Sequence, residues 1–291
     1  MSYFILGIEV GFIYALVSLG IVLIYRTTRV LNFAHGDFAT LGTFITLSMI
    51  GDKVMNPSQF IIYGVIGSLI SSFLAFLIYF FILYEGQKRG VSPVGLTIIT
   101  IGISFLIQTI EISIWGPDPK ALNSPFTGET KILGIEMRKS FVLTSSTSLI
   151  LMAILYLVVM HTKVGIFMRA ISQNLDMARI LGIKIRWIIG LTWAISTFTA
   201  GIAGFLIAPL YFVDQFFMFD PFLRAFIGAV IGGLDSPPGA IVGSLIVGIT
   251  ETLFGGYISI KYKTAFVFLV GLIFLALRPE GIFGKEIKER V

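Results

Sequence analysis

Cysteine is absent from the 291 residues, so disulfides, thiolate chemistry and Cys-ligated metals are excluded. Charge is almost as scarce, at 13% Asp, Glu, Lys and Arg against about 25% in an average soluble domain. The chain has two histidines, one with a single nearby carboxylate and no partner four residues on, so no metal site is expected. A G-x-x-x-x-G-K-[ST] loop is also lacking: the single Gly-Lys pair, Gly284-Lys285, precedes Glu286 and has Pro279 where the first glycine belongs. The chain is therefore expected to bind no nucleotide and to be no enzyme in its own right. Stretches of about ten alternating residues, the mark of a transmembrane β-barrel, are missing too.

Apolar residues are what is abundant, at 56%. A hydrocarbon core about 30 Å thick takes roughly 20 of them per helix. Phe60 to Leu83, Phe141 to Met160 and Ile188 to Val213 contain no ionisable residue of the Asp, Glu, Lys, Arg type, and Tyr3 to Tyr25, Val30 to Gly51 and Val91 to Trp115 nearly none. Phe222 to Gly256 is longer than one span, and Thr264 to Leu277 is short. The expected fold is an all-α, multi-pass membrane bundle of eight or nine elements forming one transmembrane domain over residues 1–291, the seventh block broken at Asp235-Ser236-Pro237-Pro238 because consecutive prolines cannot continue a helix. With no basic segment ahead of Tyr3, the first block is expected to stay as a membrane helix.

The net charge of +5 suggests nucleic acid only until it is located. The loop 163–187 carries Lys163, Arg169, Arg179, Lys184 and Arg186 against Asp176, which puts it in the cytoplasm; no nucleic-acid partner is expected. The mixed loop 116–140 then lies outside, the N-terminus outside, and Arg26, Arg29, Lys88 and Arg89 inside. Arg278, Lys285, Lys288 and Arg290 place the tail 279–291 inside, which favours nine elements. Small residues at every fourth position, among them Gly7, Gly11 and Ala15, and Gly239 and Gly243, suit close helix packing in lipid.

Ionisable groups in a membrane cost from about 2.5 kcal/mol upward, so they usually face a cavity, a partner or a pathway. Here they are Glu9, His35, Asp37, Glu111 and Glu251. Asn32-Phe33-Ala34-His35-Gly36-Asp37 interrupts the entry to a helix, and amides freed at such a break suit a polar passenger; the plain alternative is an N-cap and turn outside the bilayer. Asp235 and Ser236 mark the second break, with an ordinary inter-helix turn as the alternative. Asn32, His35, Gly36, Asp37, Asp235 and Ser236 are thus the candidate pathway residues, and none is assigned a catalytic role. Val164 to Ile185 has helical spacing of small and apolar residues ending at Gly182. It suits docking of a partner ATPase, or else lies amphipathically on the membrane. A rival reading is an ion-coupled transporter or channel using Glu9, Asp37 or Glu111; a non-transporting scaffold is a third.

Several motifs in order resemble the permease subunits of branched-chain amino-acid ABC transporters over nearly the whole chain. They are Leu31-Asn32-Phe33-Ala34-His35-Gly36-Asp37, Gly116-Pro117-Asp118-Pro119, Arg169-Ala170 through Leu181-Gly182-Ile183, Ala200-Gly201-Ile202-Ala203-Gly204, Ile231 through Ala240, and Arg278-Pro279-Glu280-Gly281-Ile282-Phe283-Gly284. The chain departs from the family's usual pattern at Glu280, where Gln is common, and at Ser172-Gln173-Asn174, where acids are common. The resemblance implies an importer in the inner membrane of a bacterium or archaeon. Its expected partners are a second permease subunit, two ATPases that hold the ATP and Mg, and an external solute-binding protein facing the loop 116–140. Arg169, Ala170, Asn174, Asp176, Ala178, Leu181 and Gly182 then correspond to the ATPase-coupling segment. Importers of urea and short amides share these motifs.

Overall fold

A computed structural model of the chain describes residues 2–51, 55–132, 135–278 and 280–284. Eleven helices account for most of them: α1 (Ser2–Thr28), α2 (His35–Ile50), α3 (Pro57–Lys88), α4 (Pro93–Trp115), α5 (Lys139–His161), α6 (Lys163–Gln173), α7 (Leu175–Ile180), α8 (Ile185–Ile207), α9 (Phe219–Gly232), α10 (Pro237–Tyr257) and α11 (Lys263–Leu277). The turn chemistry is local. Pro57, Pro93 and Pro237 open their helices at positions where a missing N–H costs nothing, and the Ser92 and Ser236 hydroxyls accept from the amides of Gly95 and Gly239. In the loop between α4 and α5, β1 (Glu129–Ile132) and β2 (Ile135–Arg138) form an antiparallel hairpin with Glu129 opposite Arg138.

Six of the helices, α1, α3, α4, α5, α8 and α10, are long and apolar enough to cross a membrane. This is fewer than the eight or nine elements expected from hydropathy. The reason is length: α2, α9 and α11 have 16, 14 and 15 residues, which at 1.5 Å per residue reach only about 21–24 Å. The long apolar block from Phe222 divides between α9 and α10, with Gly233 at φ +105° after the last turn of α9. The segment Val164 to Ile185, expected as one helix, is two, because Asn174 leaves helical geometry (φ −158°) and its side chain caps α7 by accepting from Met177 N at 2.9 Å. Lys285, Lys288 and Arg290, on which part of the orientation argument rests, lie outside the described residues, as does Pro279.

α1 and α8 form the centre, 72% and 78% buried along their most apolar windows against 22–39% for the other four long helices. α1 runs antiparallel to α10. The rings of Tyr3 and Tyr257 meet at 5.5 Å at one end, and Arg29 meets Asp235 at 2.7 Å at the other. The hairpin joins the first end through Arg138 and Glu9, at 3.3 Å. Residues 280–284 join the second, where the amides of Ile282 and Phe283 donate to the carbonyls of Ile231 and Gly232 at 2.8 and 3.0 Å. The short closing motif therefore satisfies carbonyls that α9 leaves open at its C-terminus.

The small-residue positions permit this packing. A Cβ on Gly7 would lie 2.8 Å from the Ile249 backbone, and one on Gly243 would overlap the Gly228 carbonyl. Gly243→Ala is expected to lower the thermal unfolding midpoint of the detergent-solubilised chain, by an overpacking cost of about 1–3 kcal/mol. Gly102→Ala, on an open face of α4 with nothing within 4 Å, should hold the midpoint or raise it. A fluorescence melt of the two variants beside the parent checks this.

Candidate functional site

The first interruption is a re-entrant stretch. α1 ends at Thr28, Arg29 takes φ +57°, and α2 begins again at His35. His35 packs beside Gly20, where an added Cβ would come 2.5 Å from its Nε2. Gly20 lies eight residues back from Thr28, so the chain climbs about 12 Å before α2 starts. The backbone in between cannot be left unpaired at that depth. α4 pairs it: Thr97 Oγ1 accepts from Leu31 N (3.3 Å), and Thr100 Oγ1 accepts from Phe33 N (3.1 Å) and donates to Leu31 O (3.2 Å). Asn32 Oδ1 accepts from Ala34 N at 3.1 Å.

The six pathway candidates do not form one site. Asn32 is buried and its Nδ2 has no partner among the described residues; His35 is fully buried between α1 and α8. Gly36 lies under the Met218 carbonyl at the start of α9, and Thr40 Oγ1 accepts from Met218 N at 3.3 Å, so the N-terminal ends of α2 and α9 meet. Asp37 faces α4, where Gln108 Nε2 donates to it at 2.8 Å and to Ser104 Oγ at 3.2 Å. Asp235 and Ser236 stand apart at the other end of α9. There Asp235 pairs with Arg29, both partly exposed, and Ser236 caps α10.

Sequence reasoning missed Thr97, Thr100, Ser104 and Gln108, which with Glu111 make a polar stripe at spacings of three and four along α4. That periodicity was the available signal. Glu111 is fully buried and neither carboxylate oxygen has a hydrogen-bond partner among the described residues. Also missed was Arg224 on α9, 5% exposed. Its Nε lies 2.7 Å from Glu251 Oε1, its Nη1 3.1 Å from Asp220, and its Nη2 donates to Thr264 Oγ1 at 2.8 Å. Tyr14 OH donates to Glu251 Oε2 at 2.8 Å. An arginine four residues after an aspartate in an apolar run was the sign that the run was not uniformly lipid-facing.

In the basic segment, Arg169 turns inward and donates to the carbonyls of Val159 and Met160 at the end of α5. Ala170 is half-buried, Ala178 buried, and Asp176 pairs with Arg179 at 3.6 Å on the surface. Met177, Ile180 and Leu181 are 52%, 78% and 70% exposed, just before Gly182 turns the chain at φ +75°. The segment thus presents an apolar knuckle on a base that Arg169 fixes to the bundle.

Compared with known proteins, residues 3–277 match the family model described as branched-chain amino acid transport system, permease component. The chain is 29% identical to the high-affinity branched-chain amino acid transport system permease protein LivH of Salmonella typhimurium, covering 98% of this chain and 96% of that protein. It is 28% identical to BraD of Pseudomonas aeruginosa over the same shares. Identity is 27% to the probable branched-chain amino acid transport permease protein LivH of Methanocaldococcus jannaschii, over 94% and 89%.

Thr100→Val keeps the shape of the side chain and removes both bonds to the re-entrant stretch. Unpairing these groups should cost about 1–3 kcal/mol, seen as a lower unfolding midpoint and faster alkylation of a cysteine placed at Leu31. Thr109→Val, which loses only a bond within its own exposed helix turn, should change neither.

Proposed function

The chain belongs to the branched-chain amino acid transport system permease family, and from that premise we propose that it is the membrane-spanning subunit of an ATP-driven, binding-protein-dependent importer of branched-chain amino acids. The observation that carries the reading is the match over residues 3–277. It is supported by the knuckle of Met177, Ile180 and Leu181, an apolar surface of the kind a partner covers.

Two ABC ATPases, which hold the ATP and Mg, dock on α6 and α7; a second permease subunit completes the pathway, and a solute-binding protein docks on the loop 116–140. The complex lies in the cytoplasmic membrane of a bacterium or archaeon. Nine membrane elements then alternate from an external N-terminus to an internal C-terminus, with α2 and α9 as partial spans. The long block broken at Asp235 to Pro238 gives two of the nine. Movement of the ATPases reaches the bundle along a short route. Ala170, Asn174, Asp176, Ala178, Leu181 and Gly182 shape the docking surface. Arg169 transmits its motion to α5, and Arg26 and Arg29 at the end of α1 carry it through Asp235 to the break between α9 and α10. The N-terminal ends of α2 and α9, with Asn32, His35, Gly36 and Asp37, border the passage, and Asp235 with Ser236 borders its inner mouth.

An ion-coupled transporter is the second reading, favoured by the Glu111 carboxyl, which is unpaired among the described residues. It requires uptake by this chain alone, driven by an ion gradient. In proteoliposomes, leucine uptake should need ATP, both permease subunits, the ATPases and the binding protein. Leu181→Asp should cut that uptake at least about tenfold by placing a charge in an apolar contact, while the chain still inserts in the membrane. Uptake by this chain alone would overturn the importer reading.

A further inference from the structure

The cluster around Arg224 lines a cavity of about 320 Å³ between the segment 211–218 and helices α9, α10 and α11. The volume lies near the lower end of the range for small-molecule sites. Five Asp, Glu, Arg or Lys side chains border it: Asp214, Asp220, Arg224, Glu251 and Lys263. They are not equally engaged. Glu251 takes Arg224, the Tyr14 hydroxyl and, at 3.7 Å, Lys263; Arg224 is completed by Asp220 and Thr264. Among the described residues the Asp214 carboxylate accepts only from the Phe216 amide, at 2.8 Å, and pairs with no cation. Lys263 is 38% exposed and among the described residues donates to nothing closer than that Glu251 contact. The cavity therefore offers an acid and an ammonium with capacity to spare. Ile207, Phe212 and Phe217 supply an apolar wall.

We propose that this cavity is a transit site for a zwitterionic α-amino acid with an apolar side chain. The ligand's ammonium faces Asp214 and Asp220, its carboxylate faces Lys263 with the positive Arg224 behind, and its side chain lies against Phe212 and Phe217. The buried pair of Arg224 and Glu251 holds the walls in place and fixes the field. The assignment rests on the importer reading and narrows it. A site with charged groups of both signs binds a zwitterion with both charges met, whereas urea or a short amide leaves both unanswered, and such unmet polar groups are what reject the wrong ligand. A simple amine or a simple carboxylic acid answers one of the two.

The absence of cysteine makes the test direct. Phe212→Cys, 70% exposed at the cavity edge, or Gln215→Cys as a second reporter, is placed in the assembled permease–ATPase complex without binding protein. Its alkylation by a maleimide is then timed. L-leucine should slow labelling several-fold, while 3-methylbutylamine, 4-methylpentanoate and acetamide at equal concentration should not. Asp214→Asn or Lys263→Gln should remove the protection, with co-elution of the complex reporting that each variant is assembled. No protection by leucine at either reporter, protection by acetamide equal to that by leucine, or protection that survives both substitutions overturns the site. Leucine uptake is measured in parallel with the complete importer. Unimpaired uptake in both variants likewise removes the cavity from the pathway and leaves the importer reading intact. Lack of any branched-chain amino acid uptake by the unsubstituted importer defeats the importer reading, whatever the labelling shows.

Discussion

Hydrocarbon offers no hydrogen bonds, so every peptide group at membrane depth has to be paired inside the protein. Regular helices meet that demand by themselves, and most of this chain is regular helix. The structure's character comes from the few places where the helices stop early. At Leu31 and Phe33 the pairing is supplied by threonines of a neighbouring helix, at 3.1–3.3 Å. At the end of α9 it is supplied by the amides of Ile282 and Phe283, some 50 residues further along the chain. Each break is thus tied to a distant segment, and helices that hydropathy treats as independent become mutually dependent.

The same demand governs charge. Arg224 and Glu251 sit on two different apolar helices, and either one alone would be a costly intrusion. At 2.7 Å, with Asp220, Thr264 and Tyr14 completing the shell, they lock α1, α9, α10 and α11 together while leaving a polar cavity beside them. Arg29 and Asp235 act at the opposite end with solvent access, where an ion pair contributes far less stability. A buried lock and an exposed one at the two ends of the α1–α10 pair leave the end with Arg29 and Asp235 the easier of the two to open.

Much of this was legible in the sequence. The absence of alternating patterns, the apolar runs, the basic segment 163–187 and the small residues at every fourth position all act through local rules, and the helices fall close to the blocks those rules mark out. Their lengths were less legible: the interruption at Asn32 to Asp37 shows within the block Val30 to Gly51, but not that residues 30–34 stay outside the helix and leave α2 with 16 residues. Hydropathy sums composition and is blind to backbone conformation. Asn174 was similarly hidden, because a run with helical spacing gives no sign that one side chain will cap a second helix.

By itself the sequence determined that the chain is helical, suited to lipid and free of thiol chemistry, because those properties depend on composition and on neighbours within a few residues. Its ordered motifs also pointed to the family. Only the tertiary structure decided which polar groups meet: Asp37 with Gln108, Asp235 with Arg29, Arg224 with Glu251. These pairs span 71, 206 and 27 positions along the chain. The cost of leaving any of the buried groups unpaired can be read from one residue, but its partner is fixed by how the helices pack.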